Sequence, residues 1–300
     1  MRTLDDLQPF ERPEFIPEFA NYGIFRDRPL GLTGHRGLLG SLICRRLRAH
    51  GIEPHCFPGD INDAAALQRW FSERRLGYFL HLAAVVAVDR VDQDPLLAFH
   101  TNVIGAYNVC RGLLLAQRDC WFFQASTSHV YNPTVGRARL AEGAVTRPQS
   151  FYGTTKLAAE QILEPLLKIH AAPFCIGRIF SYWHPAQAGP YLVPALMRRI
   201  SALPSGSTIE IRNAGAVRDI QSAETIVDCI LHLALAGASG TVNIGTGIGR
   251  TVAEIAVALA NAIGKRLAVH AADETSPNAL VADISRLECL LRSASGAARA

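Results

Sequence analysis

Gly34-His35-Arg36-Gly37-Leu38-Leu39-Gly40 is the stretch from which the rest of the chain can be read. Its glycines follow a short apolar run at 29–33, which reads as a strand. They open a segment at 37–50 whose Leu38, Leu39, Leu42, Ile43 and Leu47 share the buried side of a helix. A strand, a glycine-spaced turn and a helix make a place for a pyrophosphate. The first glycine permits the turn, the second lets backbone approach phosphate, and the third lets helix pack on strand. The helix N-terminus adds free N–H groups and partial positive charge.

Outward from that turn the alternation continues. Strands are expected at 53–57, 78–83, 121–125 and 173–179. Helices are expected at 63–73, 95–115 and 151–170, with Pro165 late in the last. Strands separated by helices pair in parallel through right-handed crossovers, and continuous apolar strands are covered on both faces. The expected fold is α/β: a Rossmann-type doubly wound parallel sheet with a smaller mixed C-terminal lobe. Residues 27–180 with 216–245 form the dinucleotide-binding part, and 181–215 with 246–300 the substrate lobe. In that lobe, Thr251 to Glu254 reads as a capping box for a helix that Gly264 stops. Residues 1–26 are a separate arm. Pro9, Pro13 and Pro17 exclude a regular helix there, while Phe10, Phe15, Phe19, Tyr22 and Phe25 are too apolar for a solvated tail. The arm packs on its own core, on a partner subunit, or over the site as a lid.

Composition closes off other classes. The 300 residues are 49% hydrophobic and 19% charged, which suits a large buried core and not a disordered chain. No apolar run approaches the ~20 residues of a bilayer span, so no membrane is expected. Seven scattered cysteines without a Cys-x-x-Cys pair argue for reduced thiols in a cytoplasmic setting, and against a disulfide scaffold or a metal site. A net charge of +4 without a Lys/Arg block gives no footprint for nucleic acid.

A second signature answers the first. Tyr152 and Lys156 stand four residues apart on the expected helix 151–170, so phenol and ammonium project from one face. A tyrosine that moves protons near neutrality must lose about three units from ~10, and a neighbouring cation favours that loss. Between the two signatures lies Ser126-Thr127-Ser128-His129, at the C-terminal end of an expected strand, where open parallel sheets bind ligands. Thr127 is the expected hydroxyl partner of a substrate oxygen, Ser126 its reserve, and His129 a second acid or base. Together these residues point to hydride transfer with a nicotinamide cofactor.

Which dinucleotide binds depends on the end of the second strand. An NAD site places an acid there, against the ribose 2′-hydroxyl. This chain has Pro54-His55-Cys56-Phe57-Pro58-Gly59, without a carboxylate, and it carries Arg36 inside the glycine loop. Arg36, assisted by His55, favours a 2′-phosphate, hence NADP(H) over NAD(H). Asp60 takes the adenine amino group or caps the next helix. A third strand beyond it has room for only a few residues.

The set as a whole resembles the extended short-chain dehydrogenase/reductases, the sugar-nucleotide epimerase, dehydratase and reductase group. It includes the Gly34 loop, Gly59-Asp60-Ile61, His81-Leu82-Ala83-Ala84, Asn102-Val103-x-Gly105, Thr127, Tyr152-x-x-x-Lys156, Arg218-Asp219 and Val281-Ala282-Asp283. Within the group, the Arg36 loop and Ala216-Val217-Arg218-Asp219 are similar to those of GDP-fucose synthase and GDP-4-keto-6-deoxymannose reductase. The resemblance implies a catalytic set of Thr127, Tyr152 and Lys156. It implies a cofactor side of Gly34, Arg36, Gly37, Leu38, Gly40, His55, Asp60, Ile61, Leu82, Ala83, Ala84, Asn102, Tyr152, Lys156 and Arg178. The substrate side takes in Ser128, His129, Ser181, Tyr191 and Arg218, with Arg218 on a diphosphate. It also implies a homodimer. Dehydratases of the group follow the catalytic hydroxyl with an Asp-Glu pair; Ser128-His129 here argues against elimination. The expected activity is NADPH-dependent reduction of a nucleotide-linked 4-keto-6-deoxysugar. The alternative is an NAD-dependent 4-epimerase. Dehydratase, non-sugar ketoreductase and non-catalytic dinucleotide binder rank behind.

Overall fold

The computed structural model describes residues 10–187, 189–272 and 278–297. Residues 1–9 of the expected arm, Pro9 among them, lie outside the described residues, as do Ala188, 273–277 and 298–300.

Six strands make a parallel sheet in the order β2 (His55–Cys56), β1 (Leu30–Thr33), β3 (Tyr78–His81), β4 (Trp121–Thr127), β5 (Phe174–Ile179) and β9 (Gly240–Ile244). Every residue of β1, β3 and β5 is buried, as continuous apolar strands require when both faces are covered. One face packs on α2 (Leu38–Ala49), α9 (Ala223–Leu235) and α11 (Ser285–Ala297), through Leu42, Leu47, Ile226, Ile230 and Leu287. The other packs on α3 (Ala64–Ser72), α6 (Ala106–Ala116) and α7 (Phe151–Ile169), through Leu67, Phe71, Leu113, Leu163 and Leu167. The strand order reverses between β1 and β3, so the loops after these two strands border the crevice where such sheets take ligands.

Several sequence expectations are corrected by the structure. The second strand is two residues long, not five, because Pro54 lacks the N–H needed to extend the ladder. It is also the sheet edge, so no third strand lies beyond it among the described residues. The single helix expected at 95–115 is broken into α5 (Pro95–Phe99), a π-helical segment His100–Gly105, and α6. Gly105 is pressed on Ile61 there, where a Cβ would fall 2.6 Å from Ile61 Cδ1. Residues 216–245 do not act as one unit: α9 and β9 join the main sheet, but β8 (Val217–Ser222) pairs with β10 (Gly249–Thr251), β12 (Ala279–Leu280) and β6 (Ser181–Trp183). Nor does 246–300 stay in the lobe, since Leu287 and Leu291 of α11 are buried in the main core.

The lobe has its own core of Trp183, Leu196, Ile200, Ile209, Ile211, Ile255 and Leu259. These come from β6, α8 (Leu192–Ala202), β7 (Ser207–Ile211) and α10 (Val252–Ala262). The capping box at the start of α10 is complete, with Thr251 Oγ1 accepting from Glu254 N at 3.0 Å and Glu254 Oε2 accepting from Thr251 N at 2.8 Å.

The arm crosses both parts. Phe10 meets Trp183 edge-on in the lobe, while Ile16, Phe19, Tyr22 and Phe25 are buried against the main core. Asp228 on α9 anchors it, accepting from Phe19 N at 2.9 Å and pairing with Arg12 at 2.8 Å and Arg46 at 2.5 Å.

Candidate active site

The Gly34 loop is set by close approach. Gly34 has φ +75°, in the left-handed region, and a Cβ on it would lie 2.6 Å from Ala83 N. A Cβ on Gly40 would overlap the Gly34 carbonyl. The turn therefore clamps the start of α2 onto the stretch Leu82-Ala83-Ala84 that follows β3. Gly37 is the N-cap of α2 and no side chain caps it, which leaves the helix N-terminus for an anion. Leu38 is half-buried, its side chain turned onto the main core. Arg36 is exposed and makes no hydrogen bond or ion pair among the described residues. His55 is exposed on the edge strand. Glu53, two residues before His55, is bound by Arg48 at 2.6 Å. The uncapped helix end suits the diphosphate of a dinucleotide.

The reacting centre lies where β4 and β5 end. Ser150 caps α7, accepting from Gly153 N at 3.2 Å. A Cβ on Gly153 would overlap the His129 carbonyl, so α7 sits directly on the 3-10 turn Ser128–Val130. This packing brings the Tyr152 phenol within electrostatic reach of Thr127, whose Oγ1 accepts from His129 N at 3.3 Å. Lys156 is buried one turn on. Asn102, in the π segment, ties these parts together: its amide donates to Val85 O at 2.9 Å and Thr155 Oγ1 at 3.0 Å, and its carbonyl accepts from Val85 N at 2.8 Å. It acts on the loop after β3 and on α7.

Electrostatics departs from the sequence expectation for the phenol. Burial pushes Tyr152 well above the ordinary tyrosine range, with nearby Tyr182 and Tyr191 adding to the rise and Thr127 opposing it. The protein's own groups therefore keep the phenol protonated. Burial lowers Lys156 to about 8, opposed by the Glu160 carboxylate. His129 packs edge-on to Tyr152 with centroids 6.0 Å apart. Burial, aided by the Arg218 guanidinium, lowers it to about 4. At that value the ring is neutral near pH 7.

Several expected site residues are engaged elsewhere. Ser126 and Arg178 are register partners on β4 and β5 and face α7. Ser126 Oγ donates to Glu160, and Arg178 grips the same carboxylate, with Nη2 to Oε2 at 2.7 Å and Nε to Oε1 at 3.1 Å. Arg178 also lies over the Tyr131 ring at 4.7 Å. Neither side chain is left for cofactor or substrate. Asp60 accepts from Asn62 N at 2.9 Å within its own turn, and Ile61 is buried in the core. Arg218 reaches Asn278 Oδ1 at 2.7 Å. Ser128 is buried, with its carbonyl taking Tyr131 N–H at 3.1 Å. Ser181 and Tyr191 are half-buried, on β6 and at the N-cap of α8.

Two residues were missed. Tyr182, in the Ser181–Trp183 stretch, lies within electrostatic reach of Tyr152. Glu160 was signalled by its spacing, since Tyr152, Lys156 and Glu160 form an i, i+4, i+8 stripe along α7.

Over residues 41–286 the chain matches the family model described as GDP-mannose 4,6 dehydratase. A UDP-glucose 4-epimerase of Rhizobium meliloti (strain 1021) is 26% identical over 259 residues, 75% of this chain and 78% of that one. The solved UDP-glucose 4-epimerase of Thermus thermophilus, in complex with NAD, superposes with a TM-score of 0.74 at 24% identity, over 87% of this chain and 92% of that one. RMD from Pseudomonas aeruginosa, complexed with NADPH, superposes with a TM-score of 0.76 at 18% identity, over 90% and 99%. The fold and the Thr127/Tyr152/Lys156 constellation define an NAD(P)-dependent enzyme of the extended short-chain dehydrogenase/reductase class. Within that class the chain belongs to the GDP-mannose 4,6 dehydratase family.

Proposed function

We propose that this enzyme is a nucleotide-sugar 4-epimerase. The observation that carries the reading is that Thr127, Tyr152 and Lys156 are buried together where β4 ends and α7 begins, with Gly153 of α7 pressed on the His129 carbonyl. Tyr152 moves the proton at the sugar 4-oxygen, and Thr127 holds that oxygen by a hydrogen bond. Lys156 keeps positive charge near the phenol. The nicotinamide, when bound in its oxidised form, supplies further positive charge and reversible hydride exchange. His129, neutral and buried, and the guanidinium of Arg218 face the substrate side. Elimination of water is disfavoured because Ser128 and His129 stand where an acid pair would be needed. Several relatives that match about three quarters of this chain are UDP-glucose 4-epimerases, which favours this reading over the reductase first expected from sequence.

Reduction of a 4-keto sugar with NADPH is the second reading. Arg36, unengaged beside the phosphate turn, favours it. Two assays separate the two. Protein that copurifies with NAD and interconverts UDP-glucose and UDP-galactose is an epimerase. Protein that consumes NADPH stoichiometrically with a nucleotide-linked 4-keto-6-deoxyhexose is a reductase. In either case Tyr152→Phe should lose about 10²- to 10⁴-fold in kcat. Full turnover by that variant would sink both.

Two copies are expected to pair through α5, the π segment, α6 and α7, where Leu97, Phe99, Ile104, Tyr107 and Ile162 are exposed. No helix among the described residues is long and apolar enough to cross a membrane. All seven cysteines are free, which supports placement in the reducing cytoplasm.

A further inference from the structure

Glu160 is a carboxylate in an expensive place. It is buried, on the same face of α7 as Tyr152 and Lys156, and it touches neither the crevice nor solvent. Its two oxygens are fully occupied, by Ser126 Oγ and by the Nε and Nη2 of Arg178. Arg178 is held in turn by the Glu142 carbonyl at 2.9 Å and the face of Tyr131. Replacing such a pair by apolar groups is often neutral or stabilising, so stability alone is a poor account of it. The clamp lies one helical turn below the buried ammonium of Lys156.

We propose that Glu160, clamped by Ser126 and Arg178, is a positioning residue that holds Lys156 in its charged form inside the reacting centre. This rests on Lys156 being the charged member of that centre. Every other element around Lys156 offers little help. His81 on β3 is buried and itself lowered to about 3, so it stays neutral. Its Nδ1 is engaged by Thr33 Oγ1 at 2.7 Å. β4 offers Ser126 and Thr127, both neutral. The π segment offers Asn102, which reaches Thr155 and not the ammonium. On α7 itself Tyr152 is held protonated. β5 offers Arg178, a cation, whose charge is spent on Glu160. The Glu142 carboxylate accepts from Asn243 N at 3.0 Å. Glu160 is therefore the negative charge that opposes the burial of Lys156.

The chain has only three lysines, Lys156, Lys168 and Lys265, so isotope-labelled lysine gives a resolvable titration by NMR. In the wild type the Lys156 signal should titrate near about 8. In Glu160→Gln it should fall by about one unit or more, with the other two signals unmoved. Glu160→Asp keeps the charge and should hold Lys156 near the wild-type value. If Glu160→Gln does not fold, the double variant Glu160→Gln/Arg178→Gln removes the pair without stranding a buried cation, and Lys156 should still fall. A folded variant lacking the carboxylate whose Lys156 titrates as in the wild type would overturn the proposal. The measurement needs no sugar nucleotide. Failure of the epimerase assay with a shifted Lys156 would count against the proposed activity alone, and an active enzyme with an unmoved Lys156 against this role alone.

Discussion

Gly40 lies so close to Gly34 that its missing Cβ would overlap the Gly34 carbonyl oxygen and stand 2.8 Å from the carbonyl carbon. The phosphate turn and the first turn of α2 are thus one packed unit, and both neighbours in this contact are backbone. Gly40→Ala should lower stability by about 1–3 kcal/mol through overpacking and weaken dinucleotide binding by displacing the turn. Denaturant unfolding and a dinucleotide titration measure the two effects. Wild-type affinity in Gly40→Ala would mean that the turn is not the phosphate site.

Much of this unit is legible from sequence, since the glycine spacing, the strand before it and the helix after it are local properties. The Tyr152/Lys156 face is legible for the same reason. What was misread depended on distant partners. Ser126 and Arg178 look like site residues because they sit at the ends of strands beside Thr127 and Ile179. Only their facing direction, shared with Phe122 and Phe174, sends them towards α7. The π segment has no signature in apolar spacing; it shows as the need to seat Gly105 on Ile61 and bring Asn102 to Thr155. Whether 217–222 joined the main sheet or the lobe was settled by its pairing with β10, β12 and β6, which no window around those residues contains.

The cofactor preference expected from sequence rests on Arg36. Because its guanidinium has no partner among the described residues, its removal should leave the fold intact and act on a 2′-phosphate alone. Arg36→Ala should weaken NADP(H) by about 10- to 100-fold, the worth of a hydrogen bond to a charged group, and leave NAD(H) unchanged. Isothermal titration with both dinucleotides gives the ratio. Equal loss for the two would place Arg36 on the shared diphosphate instead.

His129 should make the protein acid-labile. Its folded value of about 4 lies below the unfolded value near 6.5. Between those values the unfolded chain binds the proton and the folded chain does not, so stability falls as pH drops from about 6.5 to about 4. His81, lowered to about 3, acts in the same direction. His129→Gln removes one of the two, and its unfolding free energy should fall less steeply over this window than that of the wild type. Parallel slopes from urea melts at pH 7 and pH 4.5 would show that the ring is solvated and not buried against Tyr152.

Asp228 should be the most sensitive point outside the site. Its carboxylate is fully buried and takes Arg12 from the arm, Arg46 from α2 and the Phe19 amide at once. Asp228→Ala strips Arg12 and Arg46 of their shared carboxylate, a loss of about 3–5 kcal/mol for a broken buried pair. Arg12→Ala should cost less, because Arg46 still compensates the acid and Arg12 is the more exposed partner. If the arm is an integral part of the core, limited proteolysis should leave it intact in the wild type, cleave it between Phe10 and Tyr22 in Asp228→Ala, and leave dinucleotide affinity unchanged in Arg12→Ala. An arm cleaved as readily in the wild type as in Asp228→Ala would show that Phe19, Tyr22 and Phe25 hold it too weakly to count as core.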